Sequence, residues 1–294
     1  MSGLTLPRVL TIAGSDSSGG AGIEADIKTI TVHGCYGMTC ITALTAQNTT
    51  GVKAIFPVTD MGFIETALDA VFTDVGVDAI KTGMLASEDT IKTVAKCLRK
   101  YGAEKIVVDP VMISTSGSQL LPDSAVSAYL SDLFPIACII TPNLQEAKFL
   151  HKVATGTDFS VESLEDAKDL AKELFKLGPK YVLLKGGHLP LSANYRRVTE
   201  TSPSQIVADI LYDGKEYYIV ESKYIITKNT HGTGCTLASS IASNLAKGLP
   251  VPGAIEKSIG YVHGAIADDL DLGNGNGPIN HLHKTYIEPL RKRQ

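Results

Sequence analysis

The sequence lacks the marks of secreted, membrane-spanning and metal-clustered proteins. Its five cysteines are odd in number, and no two of them are separated by two residues, the spacing typical of a zinc site. No run of eighteen consecutive apolar residues occurs, and the start, MSGLTLPRVLTIAG, has no basic segment followed by a long apolar one. These absences predict free thiols in a reducing compartment, and therefore a cytoplasmic protein with no membrane partner.

Charge of neither sign dominates the chain. The 27 basic and 31 acidic side chains give a net charge of -4, which does not favour a nucleic-acid partner. With 294 residues, of which 44% are hydrophobic, the chain is long enough to form a large core without disulfides. No low-complexity linker divides it, so we expect a single domain over residues 1–294.

Short β-branched runs alternate with stretches whose apolar residues recur at helical spacing. This alternation predicts a mostly parallel central sheet with helices on both faces, an α/β fold. Between residues 207 and 227, two strand-like runs flank Asp213 and Gly214, which predicts a hairpin at an antiparallel edge. The polar stretch 189–205 before it is typical of a surface loop. The six runs assigned to strands are RVLTIAG, MTCITAL, VDAIKTG, KIVVDPV, CIITPN and YVLLKGG.

Several of these strands end in polar residues beside glycine, and ligands of parallel sheets bind beyond the carboxyl ends of the strands. The segment GGAGIEA has the spacing of a dinucleotide-binding turn, but no acidic residue follows at the distance required for a ribose hydroxyl. We therefore discount a nicotinamide cofactor. A tight turn capped by Asp16 and Asp26 explains the segment equally well.

The segment HGTGC, residues 231–235, places glycine on both sides of Thr233 where a helix begins. Its backbone amides and the helix dipole favour an anion. Because the chain has no Walker-type lysine motif, we expect any phosphate site to be built differently. A structural helix entry remains an alternative, and Cys235 by itself is more typical of a small buried side chain.

The segment TPNLQE places Asn143 and Glu146 three residues apart at a helix start. The pair favours either a capping box or a hydrated Mg²⁺ ion, which takes few carboxylates. Asp109 and Lys185 close apolar strands and are either surface residues or site residues. Gln47 is either a site residue or only a loop amide, and Met84 is most simply a core side chain.

Together, the motifs GSDSSGGAGIEADIKT, AQNTTG, KTGML, VVDPVM, TPNLQEA, LLKGGH and NTHGTGCTLA resemble those of hydroxymethylpyrimidine and phosphomethylpyrimidine kinases of thiamine biosynthesis. The resemblance runs in order from about residue 8 to the segment GPINHLH, which ends at residue 283. It departs at Ser17, where proline is common, and at Glu24, where glutamine is common. Some fungal members carry a further C-terminal domain, which we do not expect in residues 1–294.

This resemblance implies a ribokinase-like fold, a homodimer, and transfer of the ATP γ-phosphoryl group to 4-amino-5-hydroxymethyl-2-methylpyrimidine and then to its monophosphate. It also implies a role for each matched residue. Gln47 would bind the aminopyrimidine edge in a pocket lined by Gly14, Met84 and Val111, with Asp26 as a further polar candidate. Asp109 and Glu146 would hold Mg²⁺, Asn143, Glu146, Lys185 and Thr233 would bind ATP, and the amides of Gly232, Thr233 and Gly234 would form an anion hole.

Ribokinase-like sugar kinases carry an aspartate at the position of Cys235, where it accepts the proton of an attacking hydroxyl. A phosphate monoester needs no such base, and a fixed carboxylate would repel it. We therefore hypothesise that a neutral or partly ionised cysteine accommodates both acceptors. The alternatives are a pyridoxine or pyridoxal kinase of the same fold, and a non-catalytic nucleotide sensor. A sensor has no need of Lys185, Glu146 and Asp109 together.

Overall fold

The computed structural model describes residues 6–112, 125–198, 205–268 and 270–285. In these ranges the strands are β1 (Arg8–Asp16), β2 (Tyr36–Asn48), β3 (Gly51–Pro57), β4 (Ala79–Thr82), β5 (Ile106–Val108), β6 (Ile139–Ile140), β7 (Tyr181–Leu184), β8 (Ile206–Tyr212) and β9 (Tyr217–Lys223). The helices are α1 (Gly22–Val32), α2 (Met61–Ala70), α3 (Glu88–Lys100), α4 (Val126–Ala128), α5 (Leu144–Thr155), α6 (Leu164–Phe175), α7 (Thr233–Ala246) and α8 (Val251–Ala267).

These strands form one sheet in the order β3-β2-β1-β4-β5-β6-β7-β8-β9. The pairs from β2 to β7 are parallel, whereas β8 pairs antiparallel with both β7 and β9. This arrangement confirms the mostly parallel sheet and the antiparallel edge. The hairpin turns at Asp213 and Gly214, as predicted. Residues 199–204 of the predicted loop lie outside the described residues.

The opposite edge of the sheet was not predicted. There β2 continues to Asn48, turns at Thr49 and Thr50, and pairs antiparallel with β3. Most side chains of β3 are exposed, so its sequence carries no alternation of buried and exposed residues that would indicate a strand. As a result Gln47 lies within a strand rather than in the loop suggested by AQNTTG.

Helices cover both faces of the sheet, as predicted, because successive strand residues point to opposite sides. On β1, Val9 packs against the layer of α7 and α8, and its neighbour Leu10 packs against the layer of α2, α3, α5 and α6. On β5, Val107 and Val108 divide in the same way. Across the described ranges, every helix is too short or too polar to cross a membrane.

Side-chain oxygens fix the start of several helices. Asp60, Ser87 and Ser163 each accept a hydrogen bond from the backbone N–H of the third residue of α2, α3 and α6. Helix α7 instead begins after Gly232, which has no side chain to cap it. The N-terminal amides of α7 therefore need other acceptors, and this end of the helix borders the carboxyl ends of the strands.

A fully buried ion pair joins the centre of the sheet to the helices on one face. The Lys81 ammonium on β4 contacts both carboxylate oxygens of Asp26 on α1, at 2.9 and 2.7 Å. Thr11 on β1 and Ser239 on α7 donate to the same carboxylate at 2.6 and 2.7 Å. Burial lowers the pKa of Lys81, but the Asp26 carboxylate outweighs it and raises that pKa. Asp26 therefore binds four elements together. Its carboxylate is fully buried and does not line the cavity at the carboxyl ends of the strands, so this geometry does not support the predicted substrate contact.

We predict that Asp26→Asn lowers the free energy of unfolding by about 3–5 kcal/mol, because it leaves the Lys81 ammonium buried without its counter-charge. Urea denaturation at neutral pH measures the change. The matched control is Glu88→Gln, which removes the exposed pair with Lys92 on one turn of α3. It should cost no more than about 0.5 kcal/mol. Equal small losses in both variants would contradict the role of the buried pair.

Candidate active site

A cavity of about 650 Å³ opens at the carboxyl ends of the parallel strands. This is the edge of the sheet at which the sequence predicts a site. Except for Asp26, every predicted site residue lines the cavity: Gly14, Gln47, Met84, Asp109, Val111, Asn143, Glu146, Lys185, Gly232, Thr233, Gly234 and Cys235.

Three charged groups from neighbouring strand ends meet on one wall of the cavity. Lys185 Nζ lies 2.9 Å from Asp109 Oδ1 and 4.0 Å from Glu146 Oε2. Thr141 also donates to Asp109 Oδ1, at 3.0 Å. Burial and the nearby Asp109 raise the pKa of Glu146 to about 7, although the Lys185 ammonium opposes the shift. One ammonium therefore lies beside two buried carboxylates, so the cluster has more negative than positive groups and could bind a cation.

The Asn143 and Glu146 pair forms the capping box of α5. Asn143 Oδ1 accepts from the amides of Gln145 and Glu146 at 2.9 and 3.0 Å, and Glu146 Oε2 accepts from the Asn143 amide at 2.8 Å. The capping interpretation is therefore confirmed. Because the box engages the Asn143 side-chain oxygen, Asn143 offers its NH2 group to a ligand, whereas Glu146 also lies beside Lys185 and lines the cavity.

Glycine is required where the two polar turns cross. Gly232 has φ +80°, and a side chain there would overlap the Gly20 carbonyl oxygen. Gly22 has φ +57°, and a side chain there would overlap the Gly14 carbonyl oxygen. The turns before α1 and α7 therefore pack backbone against backbone, which places the start of α7 over the end of β1.

The start of α7 lies against the charged cluster. A Cβ atom on Gly234 would come within 3.3 Å of both Asp109 Oδ2 and Lys185 Nζ. The Thr233 amide donates to the Thr230 carbonyl oxygen at 3.3 Å, and its hydroxyl donates to the same oxygen at 2.7 Å. Thr233 thus shapes the turn, and the predicted anion hole rests mainly on the other amides of this first turn.

Cys235 lies in the first turn of α7 and contributes to the cavity wall. Burial raises the pKa of its thiol to about 11, although the Lys81 ammonium and the Gly22 amide stabilise the thiolate. The thiol is therefore neutral at physiological pH. Of the two forms allowed by the sequence hypothesis, the structure selects the neutral one.

The far end of the cavity carries the predicted pyrimidine pocket. The Met84 side chain covers Gly14, because a Cβ atom there would lie 2.6 Å from Met84 Cε. Gln47 lies on β2, where Ser17 Oγ donates to its backbone carbonyl oxygen and accepts from its backbone N–H, both at 2.9 Å. Ser17, a departure from the family pattern, therefore holds the Gln47 backbone. Glu24, the second departure, accepts from Ser15 Oγ at 2.6 Å.

Sequence reasoning missed three buried polar residues of this region. His231 Nε2 lies 2.8 Å from Asp16 Oδ2 and 3.4 Å from the Gln47 amide nitrogen. Asp209 accepts from the Gly186 amide at 2.8 Å, next to Lys185, and burial raises its pKa to about 6. Lys81 and Asp209 each interrupt an apolar strand, and a charged residue inside such a run is the signal that could have identified them.

A family model described as phosphomethylpyrimidine kinase matches residues 16–280. The thiamine biosynthesis bifunctional protein ThiED of Geobacter sulfurreducens is 46% identical over 93% of this chain, and the chain spans 52% of that protein. The hydroxymethylpyrimidine/phosphomethylpyrimidine kinase of Bacillus subtilis is 41% identical over 95% of this chain and 96% of that protein.

Among solved structures, an ADP complex of Bacillus subtilis pyridoxal kinase superposes with a TM-score of 0.82 and 35% identity, covering 95% of this chain and 99% of that chain. This similarity confirms the ribokinase-like fold. The chain spans about half the length of several relatives and nearly the whole length of others. With the family match over residues 16–280 and these identities, the chain belongs to the phosphomethylpyrimidine kinase family.

Proposed function

We propose that this chain uses ATP to phosphorylate 4-amino-5-hydroxymethyl-2-methylpyrimidine and then its monophosphate. The observation that carries the proposal is the cluster of Asp109, Glu146 and Lys185 beside the start of α7, inside a cavity of about 650 Å³. Phosphoryl transfer depends mainly on positioning and on stabilising negative charge, and this wall offers an ammonium and helix amides. A nucleotide sensor has no need of that combination.

The two ends of the cavity differ in character, which supports a nucleotide at one end and the pyrimidine at the other. Gln47, Gly14, Met84 and Val111 form the polar and apolar walls proposed for the pyrimidine. The opposite end is lined by apolar side chains of α7, α8 and the segment after β9, which suit a purine base: Ile225, Leu237, Ile259, Val262 and Ile266. The charged cluster lies between them, where a γ-phosphoryl group would pass.

The residues present fit Mg²⁺. Two buried carboxylates share one ammonium. Burial first, and then the Asp109 carboxylate, raise the pKa of Glu146, so a bound cation would stabilise its ionised form. The described residues contain no cluster of three or more ligands typical of a protein-enclosed metal. Mg²⁺ is typically held by one or two carboxylates, water and phosphate oxygens, so Asp109 and Glu146 are the proposed ligands. When bound, Mg²⁺ would neutralise phosphate charge.

The proposal gives Lys185, Cys235 and Asp209 different roles. Lys185 and the amides of α7 stabilise the negative charge of the transferred group, and the neutral Cys235 thiol leaves room for an acceptor that is either an alcohol or an anion. Asp209 holds the Gly186 amide and thereby the loop that follows Lys185. The homodimer and the cytoplasmic location stay predictions from the sequence.

Pyridoxal phosphorylation is the second candidate, because a pyridoxal kinase shares the fold with a TM-score of 0.82. A cysteine in this turn could also bind the aldehyde of pyridoxal covalently. The raised pKa of the Cys235 thiol, about 11, disfavours such an adduct, because it leaves little thiolate at neutral pH. Turnover on the pyrimidine and on pyridoxal, compared at equal ATP and Mg²⁺, distinguishes the two candidates.

We predict that Lys185→Met lowers kcat by about 10²–10³-fold, because it removes a charge that stabilises the transition state. It should also lower the melting temperature, since Asp109 loses its partner. Measuring kcat well below the melting temperature of the variant separates the two effects. Lys96→Met, at an exposed site, is the control. Wild-type turnover in the folded Lys185→Met variant would show that Lys185 acts only on stability.

Gln47→Ala should weaken pyrimidine binding by about 1–3 kcal/mol, because a buried ring nitrogen or amino group loses its partner. ATP binding should be unchanged. Isothermal titration calorimetry with each ligand separately measures both effects, and Asn48→Ala on the adjacent exposed position is the control. Equal losses for the two ligands would remove Gln47 from the pyrimidine pocket.

Cys235→Asp should separate the two phosphorylations. For the alcohol, the carboxylate takes the place of the base of sugar kinases, so this step should survive. For the monophosphate, two charges about 4 Å apart repel by up to roughly 4 kcal/mol at an effective dielectric of about 20. Half of that repulsion lowers the second step more than tenfold relative to the first, and the monophosphate should accumulate.

The measurement is the ratio of the kcat/KM values for the two acceptors at fixed Mg²⁺. Cys235→Ser is the matched control, because it keeps a neutral side chain of similar size and should leave the ratio unchanged. If Cys235→Asp lowers both constants by the same factor, charge at this position does not choose between the acceptors.

A further inference from the structure

Asp16 is a buried carboxylate whose oxygens are fully supplied with donors. Its Oδ1 accepts from the amide and hydroxyl of Ser18 at 2.9 and 2.8 Å, and its Oδ2 accepts from the amides of Gly20 and Ala21 at 3.1 and 2.8 Å. Burial alone would raise the pKa of Asp16, but hydrogen bonds from His231, Ser18 and Ala21 lower it well below its usual range. Asp16 is therefore an ionised acceptor.

The imidazole of His231 is fixed against this carboxylate. His231 is 7% exposed, and its backbone amide donates to the Gly277 carbonyl oxygen at 3.1 Å. A side chain on Gly20 would overlap the imidazole ring and would approach Pro278 to 3.3 Å, so the ring fills the space between these two residues. This contact gives the motif GPINH a structural purpose, because it supports the back of His231.

The fixed geometry determines which nitrogen of His231 carries a proton. Nε2 lies 2.8 Å from an ionised carboxylate oxygen, so Nε2 must be the donor. The side-chain amide of Gln47 lies 3.4 Å from the same nitrogen. The single hydrogen of Nε2 points to Asp16 Oδ2, and the Gln47 amide faces the same positively polarised N–H at the longer distance. An amide NH2 group in that position is repelled, whereas an amide oxygen is attracted. A half-turn of the amide places that oxygen next to His231 and directs its NH2 group to the cavity.

The backbone of Gln47 is fixed, because Ser17 Oγ accepts from its backbone N–H and donates to its carbonyl oxygen. The side-chain amide therefore stays near His231. We propose that the Asp16–His231 pair locks the rotation of the Gln47 amide, and that this lock makes the site select a 4-aminopyrimidine over its 4-oxo counterpart. The inference rests on the proposed function and names the feature of the substrate that the site recognises.

The two pyrimidine edges carry opposite hydrogen-bonding patterns. A 4-aminopyrimidine presents an amino donor beside a ring-nitrogen acceptor, whereas the 4-oxo compound presents a carbonyl acceptor beside a ring N–H donor. A freely rotating glutamine matches both edges by turning over. A glutamine whose oxygen stays on the side of the His231 N–H accepts from the amino group and donates to the ring nitrogen, but it opposes the 4-oxo edge acceptor to acceptor and donor to donor.

The experiment measures binding and turnover of 4-amino-5-hydroxymethyl-2-methylpyrimidine and of its 4-oxo analogue. Calorimetry without ATP gives the ratio of the two dissociation constants, and kinetics with ATP gives the ratio of kcat/KM. The variants are His231→Leu, which removes the donor, His231→Asn, whose shorter amide does not reach Gln47, and His231→Gln, which keeps an N–H group near the position of Nε2. His151→Leu is the control, because His151 is equally buried on α5 and lies outside the cavity lining.

We expect the wild type to prefer the amino compound at least tenfold in both measurements. The preference should fall at least tenfold in His231→Leu and His231→Asn, partly through a gain for the 4-oxo compound, and should be kept in His231→Gln and His151→Leu. A damaged fold would weaken the binding of both compounds and would not strengthen the binding of the 4-oxo compound. If one of the two variants does not fold, the other provides the test.

An unchanged preference in a folded His231→Leu or His231→Asn variant would overturn the inference, as would a wild type that binds both compounds equally. Failure of the proposed function has a different signature. In that case the wild type transfers no phosphate to the amino compound, while calorimetry still reports whether His231 sets the preference.

Discussion

The ion pair between Lys81 and Asp26 is the contact on which the arrangement of the site depends. Two charges are removed from water at the centre of the molecule, and the structure compensates with two ammonium contacts and two hydroxyl donors on one carboxylate. The donors come from β1, β4 and α7, so α1 and α7 are held to the sheet at the same point. Their N-terminal turns can then cross at Gly20 and Gly232, where backbone meets backbone.

From this shared base the cavity divides into two electrostatic environments. At one end, Asp16 has a full set of donors, a lowered pKa and a single rigid histidine partner. At the other, Glu146 has a raised pKa of about 7 and shares one lysine with Asp109. The first environment is complete without a ligand and is suited to recognising a neutral ring. The second lacks positive charge, which a cation bound together with a phosphate group would supply.

Much of this site follows from the sequence, because polar residues at the ends of predicted parallel strands must meet at one edge of the sheet. Asp109, Glu146 and Lys185 were found in this way, and the hairpin at Asp213 and Gly214 followed from its turn residues. The sequence could not separate Asp26 from Asp16, since both flank the same glycine turn. Both are buried, and only the packing of α1 shows that Asp26 pairs with Lys81 whereas Asp16 lines the cavity.

The other differences have equally local causes. β3 escaped detection because an exposed edge strand has no buried face to produce alternation. His231 was passed over because its importance comes from Asp16, more than two hundred residues earlier in the chain. Contacts of that separation arise from the crossing of the two glycine turns, and neither turn predicts the other on its own.

The division of the cavity also explains how one fold serves relatives named for different vitamins. In the proposed function, the charged wall at the ends of β5, β6 and β7, together with the start of α7, acts on phosphate and does not contact the ring that carries the acceptor hydroxyl. The ring would contact Gln47, His231 and the Gly14 turn, which belong to β2, the segment before α7 and β1. A change of substrate therefore requires no change in the sheet or in the phosphate-binding wall. On this proposal it requires a different set of donors and acceptors at the ring edge, where the contact of His231 with Gln47 would decide which pattern the glutamine matches.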